Sequence, residues 1–234
     1  FLGPPTAHAG LADPATNERS RAHGSPARAP VTPARALGAL ALGAALCAAT
    51  PGPGTAEAPG DAARGQHVFA SRQCARCHLP RGQRGMGPAL EVVRRPQGAY
   101  ELTGRLWNHA PAMFTALKQE GVEWPQIGAA EMADLMAFLG ADPKRDPWAD
   151  LSRGQVVLVS KGCLKCHSFR REGGRVGPDL AERRAALVPP AAWGATVWTH
   201  TPRMAAAAIR LGVLYPRFSG DEMVHLVGFL RSGP

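Results

Sequence analysis

Two stretches far apart in the chain carry the clearest apolar pattern. Residues 131–139 (Glu-Met-Ala-Asp-Leu-Met-Ala-Phe-Leu) and 222–230 (Glu-Met-Val-His-Leu-Val-Gly-Phe-Leu) place apolar side chains at i, i+3, i+4 and i+7. That spacing predicts an amphipathic helix in each. Residues 61–73 and their counterparts read as a first helix leading into a cysteine pair. Pro111 and Pro202 suit the first turn of a further helix, where a missing N–H costs nothing. Only Val156–Val159 looks strand-like, and its equivalent in the other half falls in a helix. The pattern predicts an all-α fold with long loops.

The two helical stretches belong to a repeat. Arg64-Gly-Gln66 recurs as Arg153-Gly-Gln155, and Cys74-Ala-Arg-Cys-His78 as Cys163-Leu-Lys-Cys-His167. Gly87-Pro-Ala-Leu90 recurs as Gly177-Pro-Asp-Leu180, and Trp107-Asn-His-Ala-Pro-Ala-Met113 as Trp198-Thr-His-Thr-Pro-Arg-Met204. Trp124-Pro125 recurs as Tyr215-Pro216. The copies predict two small domains, 61–140 and 151–234, with 141–150 as a linker whose prolines and charges stop the preceding helix. Few large apolar side chains serve each domain of about 80 residues, so each core is thin and invites a large apolar cofactor.

Composition alters this picture mainly at the N-terminus. Residues 1–35 are rich in Ala, Pro, Arg and Ser without apolar period, and read as a disordered or mis-assigned extension. Arg35 precedes an apolar run, 36–49, too short to span a bilayer comfortably. With the small residues that follow, 36–58 reads as a signal peptide and cleavage region, with a retained anchor as the alternative. Cys47 follows Leu46, where a lipid-attachment signal wants a small residue, so it goes with the discarded peptide. The expected location is the periplasm. Removing four arginines and three acids with residues 1–58 leaves 23 basic and 15 acidic residues. The basic residues are scattered and form no run or aromatic-interleaved stripe, so nucleic acid is not the expected partner.

Cys-x-x-Cys followed directly by His is the attachment signature of c-type haem. Two thiols add to the two vinyl groups on one edge of the macrocycle, and the next residue turns an imidazole toward the iron. Cys74, Cys77 and His78 are expected to hold one haem c; Cys163, Cys166 and His167 hold the other. A four-cysteine zinc site is the competing reading, but each pair lies alone in its repeat. Redox dithiols or disulfides leave the repeated histidine unexplained.

For the opposite face of the iron each repeat offers a histidine and a methionine four residues apart. Met113 and Met204, 35 and 37 residues after the proximal histidines, are preferred as soft ligands for ferrous iron. His109 and His200 are the second choice. Met132 and Met223 belong to the final helices and read as core, and Met86 has Val176 at its counterpart. Trp107 and Trp198 are candidates either to bond a haem propionate or to pack in the core. Pro88 and Pro178 are expected to offer a carbonyl to the proximal imidazole.

On these motifs residues 61–234 resemble two tandem class I cytochrome c domains, each wrapped around one covalent haem. The stretch Val92–Thr103 and Leu158 in the place of Phe69 depart from the likeness. The resemblance implies a non-enzymatic one-electron carrier for redox proteins, with acidic docking surfaces that match the basic chain. The alternatives are an electron-transfer subunit of a membrane-bound oxidase or dehydrogenase complex, and a dihaem peroxidase.

Overall fold

Two aspartates open equivalent helices. The Asp61 carboxylate accepts the N–H of Arg64 at 2.8 Å, and Asp150 accepts that of Arg153 at 3.0 Å. Each is an N-cap that satisfies a backbone donor the helix leaves free. The computed structural model describes residues 59–183 and 189–232, all within one compact unit. The N-terminal extension, the signal-peptide region and Cys47 lie outside the described residues.

The chain is mostly helical. Repeat 1 contributes α1 (Ala62–Ser71), a short α2 (Leu90–Val93), α3 (Ala99–Gln119) and α4 (Ala129–Phe138). Repeat 2 contributes α5 (Leu151–Ser160), α6 (Pro190–Arg210) and α7 (Glu222–Arg231). A two-residue hairpin, β1 (Ser168–Phe169) and β2 (Glu172–Gly173), follows the second histidine. Val156–Val159 is helical, like its counterpart.

Within each repeat the first and last helices cross. Gly65 lies so close to α4 that a Cβ there would sit 1.9 Å from the Asp134 carbonyl oxygen. Gly154 stands equally against α7, 2.1 Å from the His225 carbonyl oxygen. Arg64 grips the Asp134 carboxylate with two N–H donors at 2.8 Å and holds it below the usual carboxylate range. The ion pairs Arg72–Glu131 (2.6 Å) and Lys161–Glu222 (2.8 Å) join the same helix ends in both copies.

The prolines correct the sequence expectation. Pro111 and Pro202 do not begin helices; each lies inside a helix of 21 residues. The cost of an interior proline is the helical hydrogen bond it deletes, and the carbonyls so released find other partners, described below. The stretch 141–150 is also more than a tether. Asp142 donates its N–H to Gln97 (2.9 Å), and the Asp146 carboxylate accepts the Ala99 N–H at the start of α3 (2.9 Å).

The long helices carry the repeats into one another. α6 packs along α3 and α4, and α3 reaches α7. The crossing is built from small residues. A Cβ on Gly194 of α6 would stand 2.7 Å from the Met136 methyl of α4 and 3.4 Å from the Thr103 hydroxyl of α3. In consequence both cores are mixed. Ala191, Ala195 and Trp198 of repeat 2 join Phe69, Leu102, Met132 and Phe138 of repeat 1. Tyr100 of repeat 1 joins Leu158, Met223, Leu226 and Leu230 of repeat 2.

Candidate functional site

Each cysteine pair sits on a tight turn just beyond its first helix. Gln73 and its counterpart Gly162 adopt left-handed backbone (φ 69° and 72°) and swing the chain out of the helix. A 3-10 turn then spans Cys74–Arg76 and Cys163–Lys165. The His78 N–H donates to the Cys74 carbonyl at 3.0 Å, and His167 to Cys163 at 2.9 Å. This winding places both thiols and the imidazole on one short turn. The four cysteines of these two turns are free thiols. Cys74 packs on the edge of the first core and Cys163 on the second, and burial pushes both thiols up to about 11.

The imidazoles are held in matching fashion. His78 Nδ1 lies 2.9 Å from the Pro88 carbonyl oxygen, and His167 Nδ1 lies 3.0 Å from that of Pro178. A carbonyl only accepts, so Nδ1 carries the proton and Nε2 keeps its lone pair for a ligand. The glycine before each proline presses on the ring. A Cβ at Gly87 would stand 2.6 Å from His78 Cε1, and one at Gly177 would stand 2.4 Å from His167 Cε1. Gly-Pro thus serves two purposes: the glycine lets the backbone touch the ring, and the proline carbonyl orients it.

The loops differ in how they are fixed. In repeat 2 the Asp179 carboxylate accepts the N–H groups of Arg170, Arg171 and Ala181 and the Ser168 hydroxyl. These donors hold its carboxyl down at about 2. Repeat 1 has Ala89 there and uses Glu91 to accept the Arg81 N–H (2.9 Å). No pattern in the sequence marked Asp179, because three of the four donors it gathers are backbone N–H groups.

The distal candidates separate by environment. His109 and His200 are exposed, and each turns Nδ1 back to a carbonyl of its own helix, Arg105 or Thr196, at 2.7 Å. Met113 and Met204 are half-buried, and Met113 packs on the same core as Cys74.

Trp107 and Trp198 have partners in the opposite repeat. The Trp107 indole N–H donates to the Pro216 carbonyl at 2.7 Å, and the Trp198 indole N–H donates to the Pro125 carbonyl at 2.8 Å. Neither indole donor is left for a propionate. Of the propionate and core-packing alternatives, the rings follow the second: Trp198 is buried in the first core and Trp107 packs against the second. Among the described residues no group of three or more His, Cys, Asp or Glu forms a metal cluster, and no helix is long and apolar enough to cross a membrane. Comparison with protein-family models and with curated proteins finds no match to this chain, so its site rests on its own residues.

Proposed function

We propose that the protein is a periplasmic dihaem c-type cytochrome that passes electrons one at a time between redox partners. One observation carries this reading. In both repeats a Cys-x-x-Cys-His turn presents an imidazole tied at Nδ1 to a proline carbonyl and pressed against a glycine with no room for a Cβ. The residues fit haem c: free thiols and an imidazole share one turn, and a half-buried thioether stands on the neighbouring long helix. Haem iron, when bound, supplies a one-electron ferric/ferrous couple.

The chain's own groups have separable tasks. Cys74, Cys77, Cys163 and Cys166 anchor. His78 and His167 would hold the haem iron through Nε2, with the proline carbonyls at Nδ1 raising their basicity. Met113 and Met204 would supply the second ligand to each haem; the histidines beside them are occupied with their own helix. Both repeats carry the same candidate ligands, so nothing marks one as an open catalytic site, which favours a carrier over a peroxidase. The scattered basic surface suits acidic partners, with an association that weakens as salt rises.

Visible spectroscopy and redox titration of purified protein test the reading. Two haems per chain are expected, and Cys77→Ala or Cys166→Ala should each lower haem content by about half. Unchanged content in either variant refutes the assignment. Met113→Ala and Met204→Ala should each lower one reduction potential, since a thioether favours ferrous iron. A drop confined to His109→Ala and His200→Ala would move the distal assignment to histidine.

A further inference from the structure

We infer that the distal side of each site is held by the opposite repeat: Trp198 positions Met113, and Trp107 positions Met204. This rests on the haem reading above and gives the two tryptophans a task other than bonding a propionate.

The interior prolines supply the first half of the device. Pro111 has no N–H to give the Trp107 carbonyl four residues earlier, and Pro202 has none for Trp198. Both released carbonyls are taken by aromatic residues of the other repeat. The Tyr215 hydroxyl lies 3.4 Å from the Trp107 oxygen, and the Trp124 indole N–H donates to the Trp198 oxygen at 3.2 Å. The tryptophans answer in kind: their own indole N–H groups bond the carbonyl of the proline next to that aromatic, Pro216 or Pro125. The rings also stack, Trp124 on Trp198 at 4.1 Å and Trp107 on Tyr215 at 4.8 Å. Through these residues each repeat therefore offers two donors and two acceptors to the other, at equivalent positions in both directions.

What is held is the loop that leaves the methionine-bearing helix. Residues 120–128 follow α3, and residues 211–221 follow α6. Val122 N–H closes back on Leu117 at 2.8 Å, and Val213 on Ala208 at 2.9 Å, so each loop is locked to the last turns of its helix. Met113, Trp124 and Trp198 pack on one core. Freeing the loop from the opposite tryptophan therefore loosens the helix end from which the thioether projects. The clasp on 211–221 has extra strength. Asn108 donates to the Phe218 carbonyl (2.6 Å) and accepts the Phe218 N–H (2.8 Å), whereas repeat 1 is met at that position by Thr199.

The test uses the full chain with Trp198→Phe, and with Trp107→Phe alone or combined with Asn108→Ala. Phenylalanine keeps a ring for stacking and removes the N–H. Two readouts are taken: amide hydrogen exchange in 120–128 and 211–221, and the pH at which the far-red ferric band of methionine ligation disappears. Pairing each variant with Met204→Ala or Met113→Ala assigns that band to one site. Trp198→Phe should speed exchange in 120–128 about tenfold and lower by about tenfold the hydroxide concentration that removes Met113. Loop 211–221 should not change. Trp107→Phe with Asn108→Ala should do the reverse, and Trp107→Phe alone should do less. Effects confined to the tryptophan's own repeat, or unaltered exchange in both loops, overturn the inference. Colourless wild-type protein overturns the haem reading instead, while the exchange data still support or overturn the crossed hold.

Discussion

If the protein is the dihaem cytochrome proposed above, Gly87→Val and Gly177→Val should each disable one proximal histidine while leaving the cysteine anchors in place. The valine Cβ would begin 2.6 Å from His78 Cε1 and 2.7 Å from Nδ1; at Gly177 the same contacts are 2.4 and 2.5 Å. Carbon and nitrogen atoms at rest stand about 3.5–4 Å apart, so the ring must move by an ångström or more. It is pinned on its Nδ1 edge by the proline carbonyl, and retreat breaks that hydrogen bond. The backbone has little freedom to yield, because the Gly87 N–H is bonded to the Cys77 carbonyl (3.1 Å) and that of Gly177 to Cys166 (2.8 Å). On the proposed dihaem reading the protein keeps two haems, since the atoms nearest the new Cβ all belong to the His78 or His167 ring and none to a thiol. Half its ferric iron loses imidazole and becomes high-spin, as it would in His78→Ala or His167→Ala. Electron paramagnetic resonance reads the change, with Met86→Ala as a neutral control at an exposed position on the same loop. A Gly87→Val protein with both sites still low-spin would show that the glycine does not seat the ligating ring.

The parts of this molecule written in short-range pattern were legible in the sequence. Met132, Leu135, Met136 and Leu139, with Met223, Leu226, Val227 and Leu230, fix the faces of α4 and α7 by spacing alone, and all eight are buried. The bond from each proximal imidazole to the Gly-Pro carbonyl was legible too, because the repeat places one short loop after each histidine. Trp107, Trp198, Pro111 and Pro202 were harder. A local reading puts proline at a helix start, where it costs least. Here the carbonyls it strips are satisfied by Tyr215 and Trp124, 108 and 74 residues away. Nothing within a window of one helix points to such a donor. The duplication held a hint, since a tryptophan four residues before a proline occurs in both copies. The reciprocal use of that pair becomes visible only when the two long helices lie side by side.

Gly65→Val and Gly154→Val should destabilise the whole described fold, by upward of about 3 kcal/mol each. At Gly65 the new side chain would start 1.9 Å from the Asp134 carbonyl oxygen and 2.7 Å from the Phe138 Cβ; at Gly154 it would meet the His225 oxygen at 2.1 Å and the Phe229 Cβ at 2.6 Å. These obstacles are mostly backbone, so no rotamer change relieves them and the crossing helices must part. Parting α1 from α4 also strains the Asp61 and Arg64 bonds to Asp134 and opens the contact of Val68 and Phe69 with Phe138. A loss of this size is a large share of the roughly 5–15 kcal/mol that holds a domain folded. The mixed cores decide how far it travels. Trp198 and Ala195 belong to the core that Gly65→Val opens, and Tyr100 belongs to the one that Gly154→Val opens. Either variant should therefore shift one shared unfolding transition. Two separate tandem domains would instead give two transitions, with the unmutated one in place. Gly128→Ser is the control: no atom lies within 4 Å of a Cβ there, and serine is a better N-cap for α4 than most residues. Chemical denaturation followed by tryptophan fluorescence and far-ultraviolet circular dichroism checks the outcome. A valine variant within about 0.5 kcal/mol of wild type would mean that the helices do not meet at these glycines. An undisturbed second transition would mean that the repeats fold apart, and the crossed hold on the two methionines would then have no common structure through which to act.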